Sequence, residues 1–140
     1  MPANAALYLP HDDIDLREVF ADGQHHRGGD SSEYFDCLVD GHPVRFNVMA
    51  QSDIPAHLDG FAGYVRSLDE PASRADDAVM LIEHSKTVLG LVAECEFDEN
   101  HELWQCLFTV TDRWDGFVFA FDSILLPNGA VIVGPLRDDS

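Results

Sequence analysis

The apolar and polar positions of this chain run in two periods, and the changes between them predict its elements. Residues 5–9 form a short apolar run that predicts an edge strand. Asp12 and Asp13 precede Ile14, Leu16, Val19 and Phe20, which predicts a short helix over 13–20 with acids in its first turn. Residues 22–32, DGQHHRGGDSS, hold no period and read as a loop. Strict alternation follows. Phe35, Cys37 and Val39 share one strand face, and Tyr34, Asp36 and Leu38 share the other. Asp40-Gly41 is a hairpin turn, and Val44, Phe46 and Val48 continue on the return strand opposite Arg45 and Asn47.

The period then lengthens. Ser52 or Asp53 can cap a helix with Pro55 in its first turn, and Ile54, Leu58, Phe61, Val65 and Leu68 make one apolar stripe. Gly60 and Gly63 weaken this helix and would permit close packing. After a polar connection over 69–77, two apolar runs, 78–83 and 87–95, are joined by His84-Ser85-Lys86 and read as a hairpin of central strands. Asp98 caps a helix over 99–114, where Leu103, Leu107, Val110 and Trp114 form a stripe widened by Trp104, Phe108 and Thr111. Asp115-Gly116 ends it. Residues 117–126 read as one long strand, Pro127-Asn128-Gly129 as a turn and 130–133 as a closing strand, with a frayed tail over 137–140. Two strands and a helix thus occur twice, before a last hairpin. The expected class is α+β: one domain over 1–140, a largely antiparallel sheet of about six or seven strands, and two or three helices on one face.

Charge changes the picture more than composition does. Twenty-six Asp and Glu face eight Lys and Arg, for a formal net charge of −18, and the pI is near 4.3. Such a surface repels nucleic acid and anionic membrane and attracts basic proteins. Spread evenly over roughly 7,000 Å², that surplus is one net negative per roughly 400 Å². The mean spacing of about 20 Å exceeds the ~8 Å Debye length, so only clustered acids can hold a partner. Cys37, Cys95 and Cys106 are odd in number and form no CxxC pair, which points to a reducing, cytoplasmic setting. The N-terminal residues carry neither a basic region nor a long apolar run, so no signal peptide or membrane span is expected.

Two acidic clusters are candidate partner-binding sites. The denser holds Glu94, Glu96, Asp98, Glu99 and Glu102, with Glu94 and Glu96 on one strand face and the rest at the start of the following helix. The second holds Asp12, Asp13 and Asp15, followed by Glu18. Acids at a helix N-terminus are favoured by its dipole in any case, so only Glu94 and Glu96 escape that explanation. Glu94, Glu96 and Asp98 alternate like calcium ligands but lack the glycine and loop a calcium site needs. His25-His26 lacks the partners of a zinc site. The cysteines fall on core-facing positions, where a thiol is inert, and His57 and His101 sit near helix starts. The aromatics Trp104, Trp114, Phe117, Phe119 and Phe121 lack the basic groove of a nucleic-acid platform and read as core. No catalytic, metal or cofactor site is expected.

The stretch over 87–135, with TVLGLVAECEFDE, a helix, DGFVF and a PNG turn, resembles a group of uncharacterised small bacterial α+β domains. The resemblance implies a fold and no functional residue. In size and pI the chain is also similar to bacterial secretion chaperones, which begin with a helix where this chain begins with a strand. The leading expectation is an immunity or inhibitor protein that blocks a basic toxin, such as a nucleic-acid-directed enzyme, with Trp104 as a nearby anchor if exposed. An adaptor or secretion-chaperone-like homodimer would instead expose an apolar groove for a partner segment. A small enzyme or ligand-binding domain would hold a deep pocket with convergent polar groups.

Overall fold

A computed structural model describes residues 3–11, 14–27, 33–39, 41–68, 72–93, 101–120, 123–128 and 130–133. It is α+β, as the periodicities require. Strands β1 (Ala3–Leu9), β2 (Gln24–Arg27), β3 (Glu33–Val39), β4 (His42–Val48), β5 (Thr87–Ala93), β6 (Phe117–Ala120), β7 (Ser123–Leu125) and β8 (Val131–Val133) are joined by helices α1 (Ile54–Ser67), α2 (Ala72–Glu83) and α3 (His101–Arg113). The eight strands form one antiparallel sheet in the order β2-β3-β4-β5-β1-β6-β7-β8. The first strand therefore lies inside the sheet, between β5 and β6, and not at an edge.

The sheet is covered on both faces, which corrects the expectation of helices on one. Strand alternation explains why. Ala5, Leu7 and Leu9 of β1 join the core under α3, with Phe35, Phe46, Leu89, Leu91, Leu107 and Val110. Tyr8 of the same strand points the other way, into a second core with Ile54, Phe61 and Val65 of α1 and Ala78, Val79 and Ile82 of α2. A central strand with two apolar faces requires a covering layer on each.

The hairpin of β3 and β4 forms in the expected register, with Phe35 opposite Phe46 and Cys37 opposite Val44. Other expectations fail locally. Residues 78–83 are the second half of α2, not a strand: Ala75, Ala78, Val79 and Ile82 face inward at helical spacing while Met80 is 52 % exposed. A short apolar run does not by itself separate the two periods. The expected helix over 13–20 is a single 3-10 turn at Leu16–Glu18, after which Val19 and Phe20 pack on the core. Within the expected loop, Gln24–Arg27 pairs with β3 as an edge strand. The strand expected over 117–126 reverses, because Ala120 lies opposite Ser123.

The end of α3 is legible, but its two residues exchange roles. Asp115 takes the left-handed position, at φ 59°, a conformation Asp tolerates. The Gly116 N–H donates to the Thr111 carbonyl at 2.7 Å. Gly116 is small because a Cβ there would lie 2.3 Å from the Tyr8 carbonyl oxygen. Gly60 and Gly63, by contrast, have nothing within 4 Å of the Cβ each would carry, so they serve no close packing.

Candidate functional site

Of the denser acidic cluster, Glu94, Glu96, Asp98 and Glu99 lie outside the described residues, and Glu102 falls on α3. Asp12 and Asp13 also lie outside them. Asp15 caps the 3-10 turn, accepting a 3.0 Å bond from the Arg17 backbone N–H. The Arg17 guanidinium also bonds it, holding its carboxyl below the usual range. Capping therefore accounts for Asp15.

The other described carboxylates are at the surface. Every described Asp and Glu outside residues 101–103 is exposed except Glu33 and Asp36, which are half-buried. They occupy both sides of the molecule, with Asp112 on α3 and Asp59, Asp76, Asp77 and Glu83 on α1 and α2. The arginines are dispersed against them. Arg17 pairs with Asp15, Arg45 with Asp36, Arg66 with Asp76 and Arg113 with Glu18. Arg45 makes two bonds to Asp36, at 2.8 and 3.3 Å, and lies 4.1 Å over the Tyr34 ring. Exposed pairs of this kind contribute little to stability, but they leave no arginine cluster among those described.

The face under α1 and α2 is only partly covered. On its β3–β4 half, Tyr34, Asp36, Leu38 and Arg45 face outward, with Leu38 68 % and Val92 47 % exposed. Where this half meets α1, a shallow groove opens. Its first part, about 280 Å³, is lined by Ala6, Tyr8, Asn47, Asp53, His57 and Gly90 among others. A second hollow of about 470 Å³ adjoins it at Tyr8 and His57, between Gly60, Phe61, Tyr64 and Phe119. The walls of this second part are mainly aromatic. Tyr8 stacks between His57 and Phe117, both at 7° to its plane, and Phe119 meets Phe61 and Tyr64 edge-on.

One polar contact sits at the middle of the groove, 2.8 Å between the Tyr8 phenol and His57 Nε2. Burial pushes the Tyr8 phenol up, so it keeps its proton. Sequence reasoning placed His57 only near a helix start and missed this pairing. The residues are 49 apart and share no local pattern.

Two further concavities lie on the α3 face. One, about 680 Å³, opens between residues 19–24 and strands β3, β4 and β5. The other, about 550 Å³, is lined in part by Asp15, Arg17, His25 and Glu33, and His25 bonds Glu33 across it. Among the described residues, no group of three or more His, Cys, Asp and Glu is placed to hold a metal. Cys37 and Cys106 are buried; burial raises both thiols, Cys37 to about 12. Trp104 is half-buried and stacks on Phe108, while Trp114 and Phe117 are buried, as a core role requires. Phe121 lies outside the described residues. Among the described residues, no helix is long and apolar enough to cross a membrane. No protein-family model, curated protein or solved structure matches this chain.

Proposed function

We propose that the chain is an acidic inhibitor of the immunity type, which binds a basic protein in the cytoplasm and blocks its active-site cleft. A cleft built for an anionic substrate carries positive potential, and a folded acidic surface can occupy it. The observation that supports this reading is the clustering of the surplus charge along the chain. A net −18 includes five acids and no Lys or Arg over residues 94–102. The dense segment holding Glu94, Glu96, Asp98, Glu99 and Glu102 remains the proposed centre of contact.

The test is to isolate the partner from the native cell, then measure association and the partner's activity. The expected partner is basic, loses activity at equimolar inhibitor, and associates at least about tenfold more slowly when salt rises from about 50 to about 500 mM. An on-rate indifferent to salt, or a partner still active when bound, overturns the proposal. The groove beside α1 favours a second reading, an adaptor that holds an extended partner segment, since that reading requires an apolar channel on the surface.

A further inference from the structure

We infer that the groove between α1 and strands β4, β5 and β1 receives an extended basic segment of the partner, with a Lys or Arg seated at the Asp53 end. The inference rests on the proposal that the partner is basic, and it names where and how such a partner is read.

The geometry comes from the spacing on α1. Ile54, Phe61 and Val65 are buried against the sheet. Beside that stripe, Asp53, His57, Gly60 and Tyr64 follow one another at helical spacing and line the groove. From Asp53 to Tyr64 is about 16 Å at 1.5 Å per residue. An extended segment of about five residues covers that length at ~3.3 Å each.

The floor is low because its residues are small. Gly90 lies between Asn47 of β4 and Ala6 of β1, and Ala6 lies next to Phe119 of β6. A Cβ on Gly90 would have nothing within 4 Å. Packing therefore does not require glycine there. The missing side chain leaves the floor open.

The charge argument identifies the occupant. Asp53 holds the N-cap position of α1, yet its carboxylate makes no capping hydrogen bond. Its carboxylate is exposed on the groove wall, with no ion-pair partner among the described residues. The helix dipole accounts for an acid at this position. It does not account for the mainly apolar hollow that the acid lines. A cationic side chain can set its charge against Asp53 and lay its stem along the apolar wall. On a surface of net charge −18, an acidic or neutral segment has no comparable advantage.

The probe is a labelled synthetic peptide of alternating arginine and leucine, with an alternating glutamate and leucine peptide as its counterpart, followed by fluorescence anisotropy. Gly90→Val fills the floor with a side chain suited to a strand. Asp53→Asn removes the charge while keeping a residue suited to a helix start. Leu38→Ser alters the uncovered half of the sheet instead. Circular dichroism checks that each variant is folded, and sedimentation reports its association state.

Gly90→Val and Asp53→Asn are each expected to weaken the arginine peptide about tenfold, with Leu38→Ser within about twofold of the parent. Unchanged binding in folded Gly90→Val overturns the groove assignment and leaves the basic-partner proposal standing. Loss confined to Leu38→Ser moves the contact to the open half-sheet and also overturns it. A parent dimer that Gly90→Val dissociates makes the groove a contact between copies of this chain, with the same consequence. Equal affinity for the arginine and glutamate peptides, or no binding of either, overturns the groove assignment, while the basic-partner proposal is decided separately by the salt dependence and inhibition of the isolated partner.

Discussion

On the face under α3, the sheet presents a continuous apolar surface, leucines with Phe35 and Phe46 among them, that α3 and the segment around Leu16 cover apart from two concavities beside residues 14–25, with Leu7, Leu9, Leu89, Leu91 and Leu107 essentially inaccessible. On the face under α1 and α2, the core is built from stacked rings, and the covering helices leave the β3–β4 half open. The first face is what an ordinary core needs. The second keeps Leu38, Val92 and an aromatic groove at the surface, an arrangement that costs burial and suits recognition. The two sides of one sheet thus differ in how fully they are covered, and variants on each side should differ in kind.

Leu107→Ala tests the closed face and has the largest expected effect. The side chain is fully buried, and the cavity should cost about 2–5 kcal/mol, read as a lower urea midpoint at unchanged slope. A loss below about 1 kcal/mol would mean that α3 does not seal this face.

Gly116→Ala tests the point where the α3 connection meets β1. Its Cβ would lie 2.3 Å from both the Tyr8 carbonyl oxygen and a Leu9 side-chain carbon. Backbone on one side cannot swing away, so about 1–3 kcal/mol should be lost on thermal unfolding. A neutral result would show the β1–β6 contact to be looser than drawn.

Gly63→Ala tests the open side of α1 and should act in the opposite direction. The position is exposed on a helix with room for the methyl group, and about 1 kcal/mol should be gained in denaturant unfolding. Destabilisation would mean that something packs on that side of α1.

The smallest effect at neutral pH concerns the two thiols under α3. Burial, with Asp36 nearby, pushes Cys37 up to about 12, and burial beside Cys37 raises Cys106 as well. The folded-state values lie above the ordinary thiol value of about 8.5. The stability contributed is therefore intact below that pH and is lost as pH rises through it toward 12. Cys37→Ala should flatten the decline of the unfolding midpoint above about pH 9. Mass spectrometry should find the Cys37 and Cys106 peptides slow to alkylate at about pH 8 in the native protein and fast in urea. Fast native labelling would show this face to be open.

Local signals carried much of the fold. The β3–β4 hairpin followed from alternation and Asp40-Gly41, α1 from its stripe and Pro55, and the end of α3 from Asp115-Gly116. Where they failed, an element's state depended on distant residues. Residues 78–83 are apolar enough for a strand, and only docking of Ala78, Val79 and Ile82 on the second core makes them helical. Gln24–Arg27 has no strand pattern of its own and is ordered by pairing with β3. Of the candidate site, the burial of Cys37, Cys106, Trp114 and Phe117 was legible from side-chain type, while Trp104 and Phe119 are only half-buried and Cys95 and Phe121 lie outside the described residues. The groove was not, because Gly90, Tyr8 and His57 meet only after β5, β1 and α1 assemble.

The sequence alone determined the charge surplus, the α+β class and the inward-facing positions of most elements, because these are sums or short-period properties of neighbouring residues. Only the tertiary structure decided that β1 lies between β5 and β6, that the helices divide between two faces, and that one face stays partly open. A residue's period shows that its element has a side to bury. Which partner buries it is set by pairing between distant segments, whose free energy is gained only once the whole sheet is formed.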